Sequence, residues 1–90
     1  MNIRVNKKFL RELAQLPVKE RIRIEKFVFE EVETIDKLDQ IPDIGKLKGF
    51  NNYFRIRFGN YRAGVKYENK TIHFERLIHR KDIYKFYPGK

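Results

Sequence analysis

The residues best suited to chemistry lie in one alternating stretch, residues 53–67, which reads Y-F-R-I-R-F-G-N-Y-R-A-G-V-K-Y. Gly59-Asn60 favours the positive φ angles of a tight turn, so the flanking runs are predicted to pair as a hairpin. Successive side chains along a strand point to opposite faces. Phe54, Ile56 and Phe58 share one face of the first run, and Tyr61, Ala63, Val65 and Tyr67 share one face of the second. The opposite face collects Arg55, Arg57, Arg62 and Lys66, with no acidic residue within the hairpin. Like charges on adjacent strands destabilise a sheet. A polyanion from outside the fold would offset that cost. Tyr53 and Tyr61 flank this basic face and could stack on a nucleotide.

The whole chain bounds what this pattern can mean. Ninety residues make one domain, 1–90, with room for a single modest core. Eight Phe and five Tyr are too many for a disordered tail. Twenty-one Lys and Arg against 12 Asp and Glu give a net charge of +9, which points to an acidic partner. With no cysteine there is no thiolate chemistry and no cysteine-based metal site. Two histidines, His73 and His79, are too few for a histidine-only zinc site. The expectation is therefore no metal and no cofactor. No apolar run approaches the roughly 18 residues of a membrane span, and no signal-peptide pattern opens the chain. A cytoplasmic protein without membrane contact is expected.

Other elements must position the hairpin. Residues 2–5 alternate as an opening strand, and Asn6 can cap a helix over 7–15. Phe9, Leu10, Leu13 and Leu16 form its apolar stripe. Pro17 ends that helix and suits the start of a second, over 18–34, with Ile22, Ile24, Val28, Phe29, Val32 and Ile35 on a broad apolar arc. So short a joint predicts an antiparallel helical hairpin. Pro42, Gly45 and Gly49 break the pattern over 36–50, where Ile41, Ile44 and Leu47 tuck the connection onto the sheet. A last strand covers 71–79 with Ile72, Phe74 and Ile78 on one face. Arg76 falls on that face too, through either a bulge or an edge position. The order strand, helix, helix, three-stranded meander is α+β, with both helices on one sheet face. Phe86 and Tyr87 could anchor the C-terminus to the sheet, which would position Tyr84.

L-K-G at 47–49, Y-F-R-I-R-F-G-N-Y-R at 53–62 and H-R-K-D-I-Y at 79–84 resemble the RelE/ParE superfamily of type II toxin–antitoxin toxins, most of all its RelE branch. The resemblance spans nearly the whole chain and implies the RelE-like microbial RNase fold. It implies an mRNA interferase, a ribosome-dependent endonuclease that cuts mRNA in the ribosomal A site, inhibits translation and is neutralised by a cognate antitoxin. By position it makes Arg55 and Arg57 the basic sites of the first hairpin strand and Arg62 the arginine of the Tyr-Arg pair. It makes Arg80, or Lys81 beside it, the C-terminal basic residue, and Tyr84 the tyrosine. Operator DNA would be reached indirectly, through the antitoxin.

The residue types suit metal-independent cleavage through the RNA 2′-hydroxyl. That reaction removes the 2′-proton, stabilises a phosphorane's charge and protonates the 5′-oxygen. Guanidinium forks match phosphate oxygens and suit the second task. Relatives often have lysine where this chain has Arg55 and Arg57, and arginine is a poor general base. His79 or Tyr84 is then the expected base, with Arg80 or Lys81 acidic or electrostatic. Lys46, Lys48, Tyr53, Tyr61 and Lys66 are expected RNA contacts. The other activity of the superfamily, ParE-like inhibition of DNA gyrase without nuclease action, shares the fold but needs no such cationic cluster beside a terminal tyrosine. A non-catalytic RNA-binding remnant is the third reading.

Overall fold

A computed structural model describes residues 1–88. The opening strand β1 (Asn2–Val5) leads into α1 (Lys7–Ala14), whose first turn is closed by Asn6: its Oδ1 accepts the Phe9 N–H at 2.8 Å. Such a cap satisfies a donor that the helix itself leaves unpaired. Pro17 stands at the N-cap of α2 (Val18–Lys26). The helical path then widens into a π turn over Phe27–Glu31 and tightens into a 3-10 turn over Val32–Thr34. This departs from the regular helix expected to Thr34. A π turn inserts an extra residue per turn, so Phe27, Val28 and Val32 turn inward while Phe29 is left 44% exposed. Leu10 and Ile22, also expected in the core, are exposed at the margins of their stripes. Phe9, Leu13 and Ile24 carry the burial instead.

Five strands make one mixed sheet in the order β1-β5-β4-β3-β2. The meander comprises β3 (Tyr53–Phe58), β4 (Tyr61–Glu68) and β5 (Thr71–His79), and β1 lies parallel to β5. The expected α+β fold, an N-terminal strand and two helices before an antiparallel meander, is the fold observed. An unexpected strand, β2 (Ile44–Lys46), pairs antiparallel with β3 at the edge. Three residues with a central glycine are too few to show alternation.

The ambiguity at Arg76 resolves as a β-bulge. Gly64 pairs with Arg76 but Val65 pairs with Phe74, so Glu75 is the extra residue of β5. Two residues opposing one re-aim the side chains around them. Leu77, rather than Ile78, returns to the main core, and β5 is an interior strand. Arg76 reaches Glu12 on α1, with Nη2 2.9 Å from Oε2 and Nε 3.1 Å from Oε1. Glu12 Oε1 also accepts the Leu77 N–H at 2.9 Å, tying the helix to the bulge.

The main core lies between the two helices and one sheet face, around Phe9, Ile24, Val28, Ile56, Val65, Ile72 and Phe74. A second, small cluster of Leu47, Ile83 and Tyr87, flanked by Tyr53 and Ile78, sits on the other face. It seats a short helix, α3 (Ile83–Phe86), that the periodicity did not reveal. The second face is therefore partly covered rather than wholly open.

Candidate nucleic-acid interface

The β3–β4 register decides which cations meet. Arg57 lies directly opposite Arg62, Arg55 opposite Gly64, and Lys66 opposite Tyr53. The direct like-charge pair is thus Arg57 with Arg62. Two carbonyls of the turn hold the Arg62 side chain: Nη1 donates to Gly59 at 2.6 Å and to Tyr61 at 3.0 Å. Gly59 takes φ +60°, a left-handed conformation suited to glycine. Partial burial, with Arg57, Arg55 and Arg80 nearby, holds the Arg62 pKa below its ordinary value. Tyr84 acts on the same group in the opposite direction. These five residues therefore share one electrostatic neighbourhood. Arg62 remains cationic at neutral pH, and an added phosphate would relieve its repulsion.

Arg55 is steered by a glycine. Its Nη1 donates to the Asp43 carbonyl at 3.0 Å, and its guanidinium lies over Gly45. A Cβ at Gly45 would come within 2.6 Å of that guanidinium, so the bare backbone gives Arg55 its seat.

The C-terminal segment is pinned to the same end of the hairpin. The Arg80 N–H donates to the Asn60 carbonyl at 2.8 Å, and the Arg80 and Lys81 side chains are exposed. Ile83 and Tyr87 bury the inner side of α3 and leave Tyr84 68% exposed. Arg55, Arg57, Arg62, Arg80 and Tyr84 thus converge.

His79 and Tyr61 lie apart from that group. They pair across β4–β5 with rings 5.9 Å apart, in phase with Ala63 and Leu77 of the main core. Alternation puts both on the helix-side face, and Tyr61 packs against the core. His79 Nδ1 accepts the Lys81 N–H at 3.1 Å, which shapes the turn into the tail. Tyr53 does lie on the basic face, where Lys66 Nζ sits 5.6 Å from its ring. Lys66 also pairs with Glu68 at 3.3 Å, a hydrogen bond that raises the Lys66 pKa. Lys46 pairs with Phe54 at the edge strand and lines a cleft of about 430 Å³ on the helix side. Lys48 is exposed beyond Leu47.

Sequence reasoning overlooked four neighbours. Arg23 of α2 places its guanidinium 6.0 Å from the Phe58 ring. With Lys26 and Arg57 it lines a cleft of about 620 Å³ beside the hairpin. Glu75 accepts the Tyr87 hydroxyl at 2.8 Å on the basic side, and Gly64 lies beneath the Tyr87 ring. Only the bulge could have announced Glu75, and the misplaced Arg76 was its trace in the sequence.

No protein-family model matches the chain. It is 42% identical over 89 residues to toxin RelE3 of Methanocaldococcus jannaschii, covering 98% of this chain and 100% of that protein. Among solved structures, the toxin in the RelB-RelE antitoxin-toxin complex from Methanococcus jannaschii superposes with a TM-score of 0.78 at 41% identity. That match covers 94% of this chain and 99% of the other. The RelBE2 toxin-antitoxin complex of Mycobacterium tuberculosis gives a TM-score of 0.68 at 21% identity, over 88% and 96% of the two chains. At that identity the likeness is one of fold.

Proposed function

This chain belongs to the RelE family of toxins, and from that premise we propose that it is a ribosome-dependent mRNA endonuclease acting in the A site. The observation that carries the reading is the convergence of Arg55, Arg57, Arg62 and Arg80 with an exposed Tyr84 on one sheet face. In the proposed reaction the 2′-oxygen attacks the adjacent phosphorus as its proton leaves. The P–O5′ bond breaks, the 5′-oxygen takes a proton, and a 2′,3′-cyclic phosphate remains. The cluster faces the phosphorane with guanidinium donors already in place, the kind of preorganised charge that contributes most to such steps. It supplies the positive charge that a metal supplies in other nucleases. Arg62 is best placed for the equatorial oxygens, because its turn carbonyls fix it before substrate arrives.

Tyr84 is the proton-transfer group that shares the neighbourhood of Arg62. His79 faces the other side of the sheet, which favours Tyr84 over it as the base. The ribosome positions the mRNA and so removes the entropic cost of alignment.

A RelB-like antitoxin is the proposed partner, since the 41% identical toxin was solved with RelB. It would cover the basic face or displace residues 80–87, and it would carry the contact with operator DNA. A complex that leaves both regions open would contradict this placement. The activity belongs in the cytoplasm, where translating ribosomes are found.

Primer extension on a defined mRNA, with and without purified ribosomes, tests the reading. The expected result is cleavage inside the A-site codon that vanishes without ribosomes. Intact mRNA beside trapped gyrase–DNA complexes would instead assign the protein the ParE-like activity.

A further inference from the structure

The bulge in β5 and the last described turn of the chain meet at a point with no evident role in binding RNA. Tyr87 is buried, and its ring lies against the backbone of β4. A Cβ on Gly64 would fall 2.6 Å from Tyr87 Cδ2, so any larger residue would displace the ring. Tyr53 closes another side, with ring centroids 5.8 Å apart and edge-to-face geometry. Leu47, Ile83 and Ile78 complete the pocket. At its far end the Tyr87 hydroxyl donates to Glu75 Oε1 at 2.8 Å. Glu75 is the inserted residue of the bulge, and without the insertion β5 would have no carboxylate at this spot.

A carboxylate on the basic face, near Lys66, is costly to a surface meant for a polyanion, unless it serves another purpose. Its observed contact is with the tail, three residues beyond Tyr84. From Ile83 to Tyr87 the chain makes one turn, closed by the Tyr87 N–H donating to the Ile83 carbonyl at 2.9 Å. Ile83 and Tyr87 are the buried ends of that turn, and Tyr84 projects from it. At the other side, the Arg80 N–H bond to Asn60 fixes the entry into the segment. The direction in which Tyr84 points therefore depends on both anchors.

We propose that Tyr87 is a positioning residue: seated on Gly64 and held by the bulge carboxylate Glu75, it fixes α3 so that Tyr84 stands beside Arg62. The proposal rests on the ribosome-dependent cleavage above for its kinetic readout, and it has a second readout that does not. Burial and the bond to Glu75 raise the Tyr87 pKa, so the hydroxyl remains a donor throughout the physiological range.

The test uses the full chain with Tyr87→Phe, which keeps the ring and removes the hydroxyl, and Glu75→Leu, which removes the acceptor. Single-turnover cleavage on programmed ribosomes should fall about tenfold in rate at saturating protein for either variant, as expected for loss of one charge-assisted hydrogen bond. The concentration giving half-maximal rate should stay within about twofold, since no phosphate contact is lost. The double variant should be no slower than either single, because both break the same bond. Independently of cleavage, the Tyr84 ring resonances of Tyr87→Phe should move toward those of an unstructured peptide, with the core resonances unchanged. Wild-type rates in both variants, multiplying losses in the double variant, or an unmoved Tyr84 signal would each overturn the proposal. Absence of cleavage by the unaltered protein would count against the nuclease reading, and the Tyr84 resonance would still decide the positioning role.

Discussion

Arg57 and Arg62 face each other across the β3–β4 ladder, two guanidinium-bearing side chains at one rung of the sheet. Opposed like charges cost stability, and the turn carbonyls that bind Arg62 compensate only in part. On the proposed function, an anion bound at this face would relieve that repulsion. Replacing Arg57 by Gln should raise stability by about 0.5 kcal/mol while weakening ribosome binding. The salt dependence of that binding should lose about one charge equivalent. Urea titration and binding across a salt series give the two numbers. A variant both less stable and equally tight in binding would contradict the stored repulsion.

The tie between helix and bulge should be structural rather than functional. Glu12 accepts from Arg76 and from the Leu77 N–H, and both charged side chains are largely withdrawn from solvent. Glu12→Gln keeps the shape but gives up the charge and part of the acceptor capacity. A loss of about 2 kcal/mol is expected from removing hydrogen bonds to a charged group, read as a lower urea midpoint at unchanged slope. The rate of cleavage by the fraction that remains folded should not change.

Alkaline pH should lower the stability of the fold through Tyr87. The Tyr87 pKa in the folded protein is raised above the ordinary 10.0, chiefly by burial and then by the Glu75 hydrogen bond. A group with a raised folded pKa contributes its full stability below the unfolded value and loses it as pH climbs above it. Stability should therefore decline from about pH 10 upward. Tyr87→Phe lacks this group, so its urea midpoints should fall less steeply between pH 9 and about 11. Parallel curves for the two proteins would show that Tyr87 does not titrate with unfolding.

Much of this arrangement was legible in the sequence, and the reasons differ by element. The hairpin was readable because its turn dipeptide and its alternation agree, and the structure pairs it in the expected register about Gly59-Asn60. The Asn6 cap and the Pro17 boundary were readable from local chemistry. The outward turn of Phe29 was not, since a π turn leaves no signature in an apolar helix. Arg76 signalled an irregularity but could not say that Glu75 was the inserted residue. Of the proposed site, the arginines were found by alternation and the C-terminal residues by resemblance to a family. Periodicity could not place His79 relative to Arg62, because a one-residue bulge upstream reverses which face it takes. Tyr87 on Gly64 is a contact between distant residues, and neither residue type announces it alone.

The most direct test of the central claim is single-turnover cleavage of ribosome-bound mRNA by Arg62→Ala. Loss of a preorganised donor to the phosphorane should lower the rate by about a hundredfold or more at saturating protein. Thermal unfolding should remain close to that of the unaltered chain, since Arg62 stands opposite a like charge. Arg62→Lys should recover only a small part, because an ammonium lacks the planar fork. Cleavage at the unaltered rate by a folded Arg62→Ala protein would contradict a catalytic role for the arginine face.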